Sequence, residues 1–356
     1  MFEPEATNHD ETLATRSDLL LTFAIPTFNR HECLRVLVDS ILGQIDRINM
    51  HAPRVELLIC DNASSDKTRP YLDGLARHGG VTVLRHRVNL GADANVIHCF
   101  RQARGVHVWI CGDDDLPLPG VLEMVVACLA RERPALLYLP ALWHPGDLSP
   151  FLSHRPEPGR FIPVDAMSLA LVANAYITFL SSWVVDRGAY RECVADPNPG
   201  RYAGTSLPQL EWHLAGLVSN GRLMMTDRKW VIARSGNTGA YSLLDVFITN
   251  YTRIIDDKLR GHRALRQFFR DFMLRSYLPG LVWGMRQRVV GDFGHLDHAG
   301  LRAKLRVAWP QKRAFATTVF LIGRLPRPLA HVVFAFSWLT SRLWLSCLGF
   351  KLGNRR

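Results

Sequence analysis

A chain of 356 residues with 48% apolar and 21% charged side chains can build one large domain, or a core domain with an appendage. Its seven cysteines (33, 60, 99, 111, 128, 193, 347) contain no Cys-x-x-Cys pair and mostly lie in apolar runs, which argues for reduced core thiols in a cytoplasmic protein and against a zinc site or a disulfide framework. The net charge of +11 is uneven: Leu301 to Arg356 holds eleven Lys/Arg and no Asp/Glu, so the basic character belongs to the tail.

Met1 to Asp18 is acidic and has no apolar run. It predicts a disordered arm rather than a secretory signal. Leu19 to Ile25 reads as a buried strand ending at Pro26-Thr27-Phe28-Asn29-Arg30. Leu34, Leu37, Val38, Ile41, Leu42 and Ile45 then recur at helical spacing. Val55 to Cys60 is a second strand, closed by Asp61-Asn62-Ala63-Ser64-Ser65-Asp66, with a helix over Lys67 to Arg77. Val81 to Arg85 is a third, followed by Asn89-Leu90-Gly91-Ala92-Asp93-Ala94-Asn95 and a helix to Ala103. Val106 to Cys111 is a fourth, and it ends in Gly112-Asp113-Asp114-Asp115. A helix over Pro119 to Glu132 and a strand over Ala135 to Leu139 follow.

Three adjacent carboxylates repel one another, and burying any of them unpaired is costly. Mg²⁺ or Mn²⁺ relieves this, because a hard cation binds through one or two carboxylates plus substrate phosphates. The competing reading is a solvated acidic turn with a capping Asp. If the segment is extended, Asp113 and Asp115 point one way and Asp114 the other. The surrounding pattern favours the metal. Strand and helix alternate four times, which predicts a parallel sheet with helices on both faces. Ligands bind outside the carboxyl ends of such strands. Those ends carry Thr27/Asn29/Arg30, Asp61/Ser64/Asp66, Asn89/Gly91 and Asp113/Asp114/Asp115, so four polar clusters converge on one edge. No Gly-x-Gly-x-x-Gly follows the first strand and there is no Walker lysine motif, which excludes the usual dinucleotide and P-loop sites.

These segments, in this order and spacing, resemble a family 2 glycosyltransferase of the GT-A fold. The resemblance is strong over Leu19 to Tyr138 and continues more weakly to Ile255. Phe179-Leu180-Ser181-Ser182-Trp183 and Gly236-Asn237 suggest the abequosyltransferase-like members, which attach sugars during O-antigen assembly. The resemblance implies a glycosyltransferase domain (19–260, donor half 19–139 and acceptor half 140–260), and composition and pattern add a disordered arm (1–18) before it and a helical, membrane-associated C-terminal region (261–356) after it. The resemblance also implies a nucleotide-sugar donor bound by Pro26, Thr27, Asn29, Arg30, Asp61, Ser64, Asp66, Asn89, Gly91, Asp113 and Asp114, with Asp113, Asp114 and Asp115 as metal ligands. Family register favours Asp114 or Asp115; simple alternation favours Asp113 and Asp115. Inversion is implied too, and it needs a general base. Members commonly place an acid at the start of a helix in the second half. Here that helix begins Gly204-Thr205-Ser206-Leu207-Pro208-Gln209, and Glu211 is the nearest carboxylate, either the base or an ordinary helix acid. Asp186 is a rival that also reads as a helix cap. Pro140 to Pro163 reads as a loop over the active-site edge that could shape the acceptor pocket.

From Tyr241 the pattern is helical through Val290. His295 and His298 are an isolated pair without a third ligand nearby, which argues against a metal there. After Gly300 the chain is basic and amphipathic, and Leu329 to Phe350 is apolar apart from His331, Arg342 and small polar residues. That segment could just span a bilayer, but Arg342 with Trp338 and Trp344 suits an interfacial helix better. The alternative is a buried helical hairpin. The expected setting is the inner face of the cell membrane, with residues 301–356 on anionic lipid, a lipid-linked saccharide acceptor and no nucleic acid. Other readings are a sugar-1-phosphate nucleotidyltransferase, which lacks its Gly-rich loop here, or an inactive membrane-bound partner of a polysaccharide assembly complex.

Overall fold

The computed structural model describes residues 19–52, 54–196, 199–235, 242–287 and 298–349. The acidic arm at 1–18, Gly236-Asn237 and His295 lie outside them. Four strands follow the four apolar runs: β1 (Leu21–Thr27), β2 (Val55–Asp61), β3 (Val81–Arg85) and β4 (His107–Ile110). They pair in parallel in the order β3-β2-β1-β4. Between them run α1 (His31–Asn49), α2 (Thr68–Leu75) and α3 (Ala92–Gln102). After β4 come β5 (Leu116–Pro117) and α4 (Val121–Glu132).

The two-residue period of a strand sorts its side chains into two cores. Leu21, Phe23 and Ile25 of β1, with Leu57 and Ile59 of β2, pack with Leu34, Leu37 and Ile41 of α1 and Val121 and Val125 of α4. Ala24, Leu58 and Cys60 face the other way, toward Cys99 and Phe100 of α3. Helices on both faces of the sheet thus follow from strands that bury apolar side chains on both faces, with Thr22 and Glu56 as polar exceptions that bond each other.

The second half supplies β6 (Leu136–Tyr138), β7 (Ala141–Pro145), β8 (Phe161–Val164), α5 (Ala166–Ala173), β9 (Trp183–Asp186), α6 (Arg187–Glu192), α7 (Leu210–Val218), β10 (Leu223–Thr226) and β11 (Val231–Ser235). They extend the sheet to β3-β2-β1-β4-β9-β6-β10-β8. β9 runs antiparallel to β4 and β6, and β8 antiparallel to β10. The sheet is therefore mainly parallel, as expected. A second sheet, β5-β11-β7, was not expected. Pro140 to Pro163 is not a plain loop: it holds β7, a 3-10 turn at Ser149–Ser153 and most of β8. Strands of two to five residues carry too few alternating positions to show in a sequence.

The rest is helical: a π-turn at Asp245–Asn250, α8 (Tyr251–Lys258), α9 (Arg263–Phe272), a π-turn at Met273–Tyr277, α10 (Leu278–Arg286), α11 (His298–Ala308), α12 (Arg313–Arg324) and α13 (Arg327–Cys347). One core runs from Ala24 in the sheet to Leu345 in α13. α13 is inside out. It buries Ala330, Ser337 and Ser341, and exposes Leu329, Val332, Phe336, Leu339 and Leu343, which fall on one face at three- and four-residue spacing. Among the described residues no helix is long and apolar enough to cross a membrane.

Leu301, Leu305, Trp309, Val319 and Ile322 are all at most 2% exposed. Burial of each contributes about 1.5–3 kcal/mol, together of the order of a domain's whole net stability. Truncation after Gly300 is therefore expected to abolish the cooperative urea transition. A truncated chain that unfolds at the full-length midpoint would show that these helices are separable.

Candidate functional site

Beyond Ile110 the chain turns rather than staying extended: the Asp115 N–H donates to the Gly112 carbonyl at 3.1 Å, closing a β-turn over the triplet. A Cβ on Gly112 would sit 3.2 Å from carboxylate oxygens of both Asp114 and Asp115, which explains the glycine. Asp113 and Asp115 are 6% and 7% exposed; the Asp114 side chain is 10% exposed, and Asp114 and Asp115 both line the cavity outside.

Each buried carboxylate is met by donors from other elements. The Thr27 hydroxyl donates to Asp113 Oδ2 at 2.7 Å. Arg30 Nη1 lies 3.2 Å from Asp113 and 2.5 Å from Asp114. The Ser181 hydroxyl donates to Asp115 Oδ2 at 2.5 Å, and the Arg234 N–H to Asp115 Oδ1 at 3.0 Å. Ser181 is itself fixed, since its Oγ accepts from the Gly112 N–H at 2.9 Å and its carbonyl from Trp109 Nε1 at 2.9 Å. Burial pushes Asp113 up to about 7; the charge of Arg30 works against that rise and Asp114 adds to it. Burial, then Asp114, also raises Asp115.

The other three loops knit together beside the triplet. The Asn62 N–H donates to the Thr27 carbonyl at 2.9 Å. Asn62 Nδ2 donates to Asn89 Oδ1 at 2.7 Å and to the Gly91 carbonyl at 3.2 Å. Gly91 has φ +88°, a left-handed value that suits glycine. The Asn29 N–H donates to Ser64 Oγ at 2.9 Å, and the Ser65 N–H to Asn29 Oδ1 at 2.8 Å. Pro26 lies in β1. Asp66 accepts from the Thr68 N–H at 2.9 Å and orders the start of α2. Asp61 is 0% exposed; it accepts from the Ser64 N–H at 3.0 Å and from Arg85 Nε at 2.9 Å.

The structure does not bring Glu211 to this cluster. It is 3% exposed. Its carboxylate accepts from the Tyr190 hydroxyl at 3.2 Å and from the N–H groups of Gly200 at 3.0 Å and Arg201 at 3.2 Å. It anchors the chain ahead of α7. Asp186 pairs with His107, the first residue of β4, so it lies at the edge of the sheet opposite the triplet. It caps α6 through the Gly188 N–H at 2.6 Å and the Ala189 N–H at 3.2 Å.

Sequence reasoning missed Arg85, Ser181, Arg234, Cys33 and the linking role of Asn62. Arg85 carried a signal, as a lone cation ending an apolar strand. Arg234 carried none, because it reaches the site, with both its N–H and its side chain, on a strand the sequence did not reveal. A cavity of about 330 Å³ is lined by Cys33, Asp114, Asp115, Asp147 and Arg234 among others. A second, about 550 Å³, is lined by Asn29, Arg30, Asp66, Lys67 and Arg234 among others. These volumes suit a small-molecule ligand.

Among the described residues no group of three or more His, Cys, Asp or Glu side chains is arranged to hold a metal ion by itself. The triplet nonetheless fits a hard cation shared with a bound phosphate. Asp114 reaches the cavity, and Asp113 beside it stays ionised only against positive charge.

Residues 22–179 match the family described as Glycosyl transferase family 2. A stretch of 99 residues is 37% identical to the abequosyltransferase RfbV of Salmonella typhimurium, covering 27% of this chain and 28% of that relative. The match thus spans little more than a quarter of the relative's length. The crystal structure of S. aureus TarS 1-349 superposes with TM-score 0.57 at 13% identity, over 94% of this chain and 93% of that one. Its complex with UDP-GlcNAc gives 0.55 at 14% identity, over 91% of each. Residues 22–179 are a family 2 glycosyltransferase domain, and the fold is GT-A.

Asp115→Ala and Glu211→Ala strand buried donors, and each is expected to cost about 1–3 kcal/mol in urea denaturation. Asp114→Ala removes an ion pair to a part-exposed Arg30 and is expected to cost less, about 1 kcal/mol or under. Equal losses in all three would contradict this ordering.

Proposed function

We propose that the protein transfers a glycosyl group from a nucleotide-sugar donor to a saccharide acceptor in surface-polysaccharide assembly of the O-antigen kind. The observation that carries this reading is the convergence of four strand-end loops on Asp113–Asp115. The class of donor follows the UDP-GlcNAc complex of TarS, and the class of product the name of RfbV. Thr27, Asp61 and Asn62, buried and bonded within the protein, frame the nucleoside site, and Asn29 and Asp66 line the cavity in which it would lie. Arg30, Lys67 and Arg234 surround the cavities where a diphosphate would carry its charge. Mn²⁺ or Mg²⁺, held by Asp114 with Asp113, would supply further neutralisation of the leaving group.

The anomeric carbon passes through an oxocarbenium-like state, and the acceptor hydroxyl must lose its proton to a base. Glu211 was the candidate for that role, but its carboxylate is committed to Tyr190, Gly200 and Arg201. We take Asp147 in its place. It lines the cavity with Asp114 and Arg234, and the Ser149 N–H and hydroxyl hold its Oδ1 at 3.0 and 2.7 Å.

In this reading residues 19–260 carry the chemistry and residues 261–356 meet the inner face of the membrane, where a lipid-linked acceptor would lie. The inside-out face of α13 supports it, since large apolar groups on the surface of a helix suit an interface with lipid. Arg324 and Arg327 flank that face, and cations there attract anionic headgroups.

A panel of UDP-, GDP-, CDP- and dTDP-sugars tests the activity. Turnover with one donor should need Mn²⁺ or Mg²⁺. It should fall by about two orders of magnitude or more in Asp114→Ala and by about two to four in Asp147→Asn with nucleotide affinity retained. Full turnover in excess chelator would contradict the metal, and wild-type turnover in Asp147→Asn the base. No donor binding at all would overturn the assignment.

Flotation with anionic vesicles tests the membrane reading. Each Lys/Arg contributes about 1 kcal/mol that salt screens, whereas the apolar contribution resists salt. Binding should fall at high salt without vanishing. The triple variant Val332→Ser, Phe336→Ser, Leu339→Ser should lose the salt-resistant part. A full-length protein that never floats would contradict membrane contact.

A further inference from the structure

Four tryptophans, Trp109, Trp183, Trp212 and Trp230, are at most 1% exposed, while Trp143 is 42% exposed. It is not a stray surface aromatic. Its ring lies 4.9 Å, centroid to centroid, from Phe179 at an interplanar angle of 49°. Tyr176 stands 6.1 Å away at 29°. Trp, Phe and Tyr thus make an aromatic shelf with one side open.

Two separate routes join this shelf to Asp115. On one side, β7 lies parallel to β11, with Trp143 beside Ala233 and His144 beside Arg234. Neighbouring strands are about 4.8 Å apart, and the Arg234 N–H binds Asp115 at 3.0 Å. On the other side, Phe179 stands two residues before Ser181, whose hydroxyl binds Asp115 at 2.5 Å. The shelf is thus joined through the backbone to both groups that bind Asp115, and Thr178 between its rings is tied by its carbonyl to Gln209 Nε2 at 2.5 Å, ahead of α7.

A pyranose ring has an apolar C–H face and a polar rim. An open, rigid aromatic plane takes such a face at low entropic cost, while the hydroxyls stay in water. From this placement we infer that Trp143, backed by Phe179 and Tyr176, is the platform on which the acceptor saccharide stacks, with its reactive hydroxyl turned toward the cavity of Asp114 and Asp115. The inference rests on the glycosyltransferase reading and adds where the acceptor binds. Trp143 acts here by binding and positioning, not by proton transfer.

Saturation-transfer NMR with a panel of methyl glycosides and free di- and trisaccharides, run in parallel with calorimetric titration of UDP, GDP, CDP and dTDP, tests it. At least one saccharide should bind the wild type, lose roughly ten- to a hundredfold in affinity in Trp143→Ala, and recover most of it in Trp143→Phe. Nucleotide affinity should be the same in all three proteins, which also shows that the variants are folded. Saccharides that bind Trp143→Ala as tightly as wild type overturn the platform, and so do saccharides that bind none of the proteins while a nucleotide binds all three. If no nucleotide binds the wild type, the glycosyltransferase reading itself fails and the platform with it.

Discussion

Two buried carboxylates at the end of β4 are the constraint around which the rest is arranged. Asp113 and Asp115 are almost wholly out of water, and burial without partners is costly. The fold answers by sending a donor from each surrounding element: Thr27 from β1, Arg30 from the start of α1, Ser181 from the segment before β9 and the Arg234 N–H from β11. The acidic triplet is therefore the point at which the large sheet, the small sheet and the second half of the chain are tied together. A site built this way is pre-organised, because the groups that satisfy the acids also hold them against one another's repulsion.

The antiparallel strand β9 explains why Glu211, the acid the family resemblance points to, and its rival Asp186 do not reach the acidic triplet. Because β9 runs against β4, Asp186 returns to the opposite edge, next to His107. α7 then starts beyond Gly200 and Arg201, whose N–H groups take up Glu211. The small sheet has the opposite effect. It carries Arg234 to Asp115 and sets Trp143 beside it, so the stretch between Pro140 and Pro163 contributes side chains to the site edge rather than covering it.

The first half was legible because its strands are rich in apolar residues on both faces and end in polar clusters. Buried parallel strands have no choice but to look like that, and the rule that ligands sit at their carboxyl ends located Thr27, Asp61, Asn89 and the triplet. The second half was not legible. β5 has two residues and β11 pairs with β7 across a long separation in sequence, so neither leaves a period to detect. Contacts made by backbone groups, such as the Arg234 N–H, leave no trace in residue type. The tail's charge was readable, but its packing was not. α13 buries Leu345 with alanine and serine but presents Leu329, Val332, Phe336, Leu339 and Leu343 outward, against the usual amphipathic rule.

The central claim is that the four loops at the carboxyl edge of the sheet form one nucleotide-diphosphate site with a metal at the acidic triplet. The most direct test is an anomalous difference map from crystals grown with Mn²⁺ and the nucleoside diphosphate that binds most tightly. The account predicts one Mn²⁺ peak within coordination distance, about 2.2 Å, of an Asp114 or Asp113 carboxylate oxygen, with the nucleotide over Thr27, Asp61 and Asn89. A nucleotide bound away from that edge, or one seated there with Mn²⁺ absent from the triplet, would contradict it.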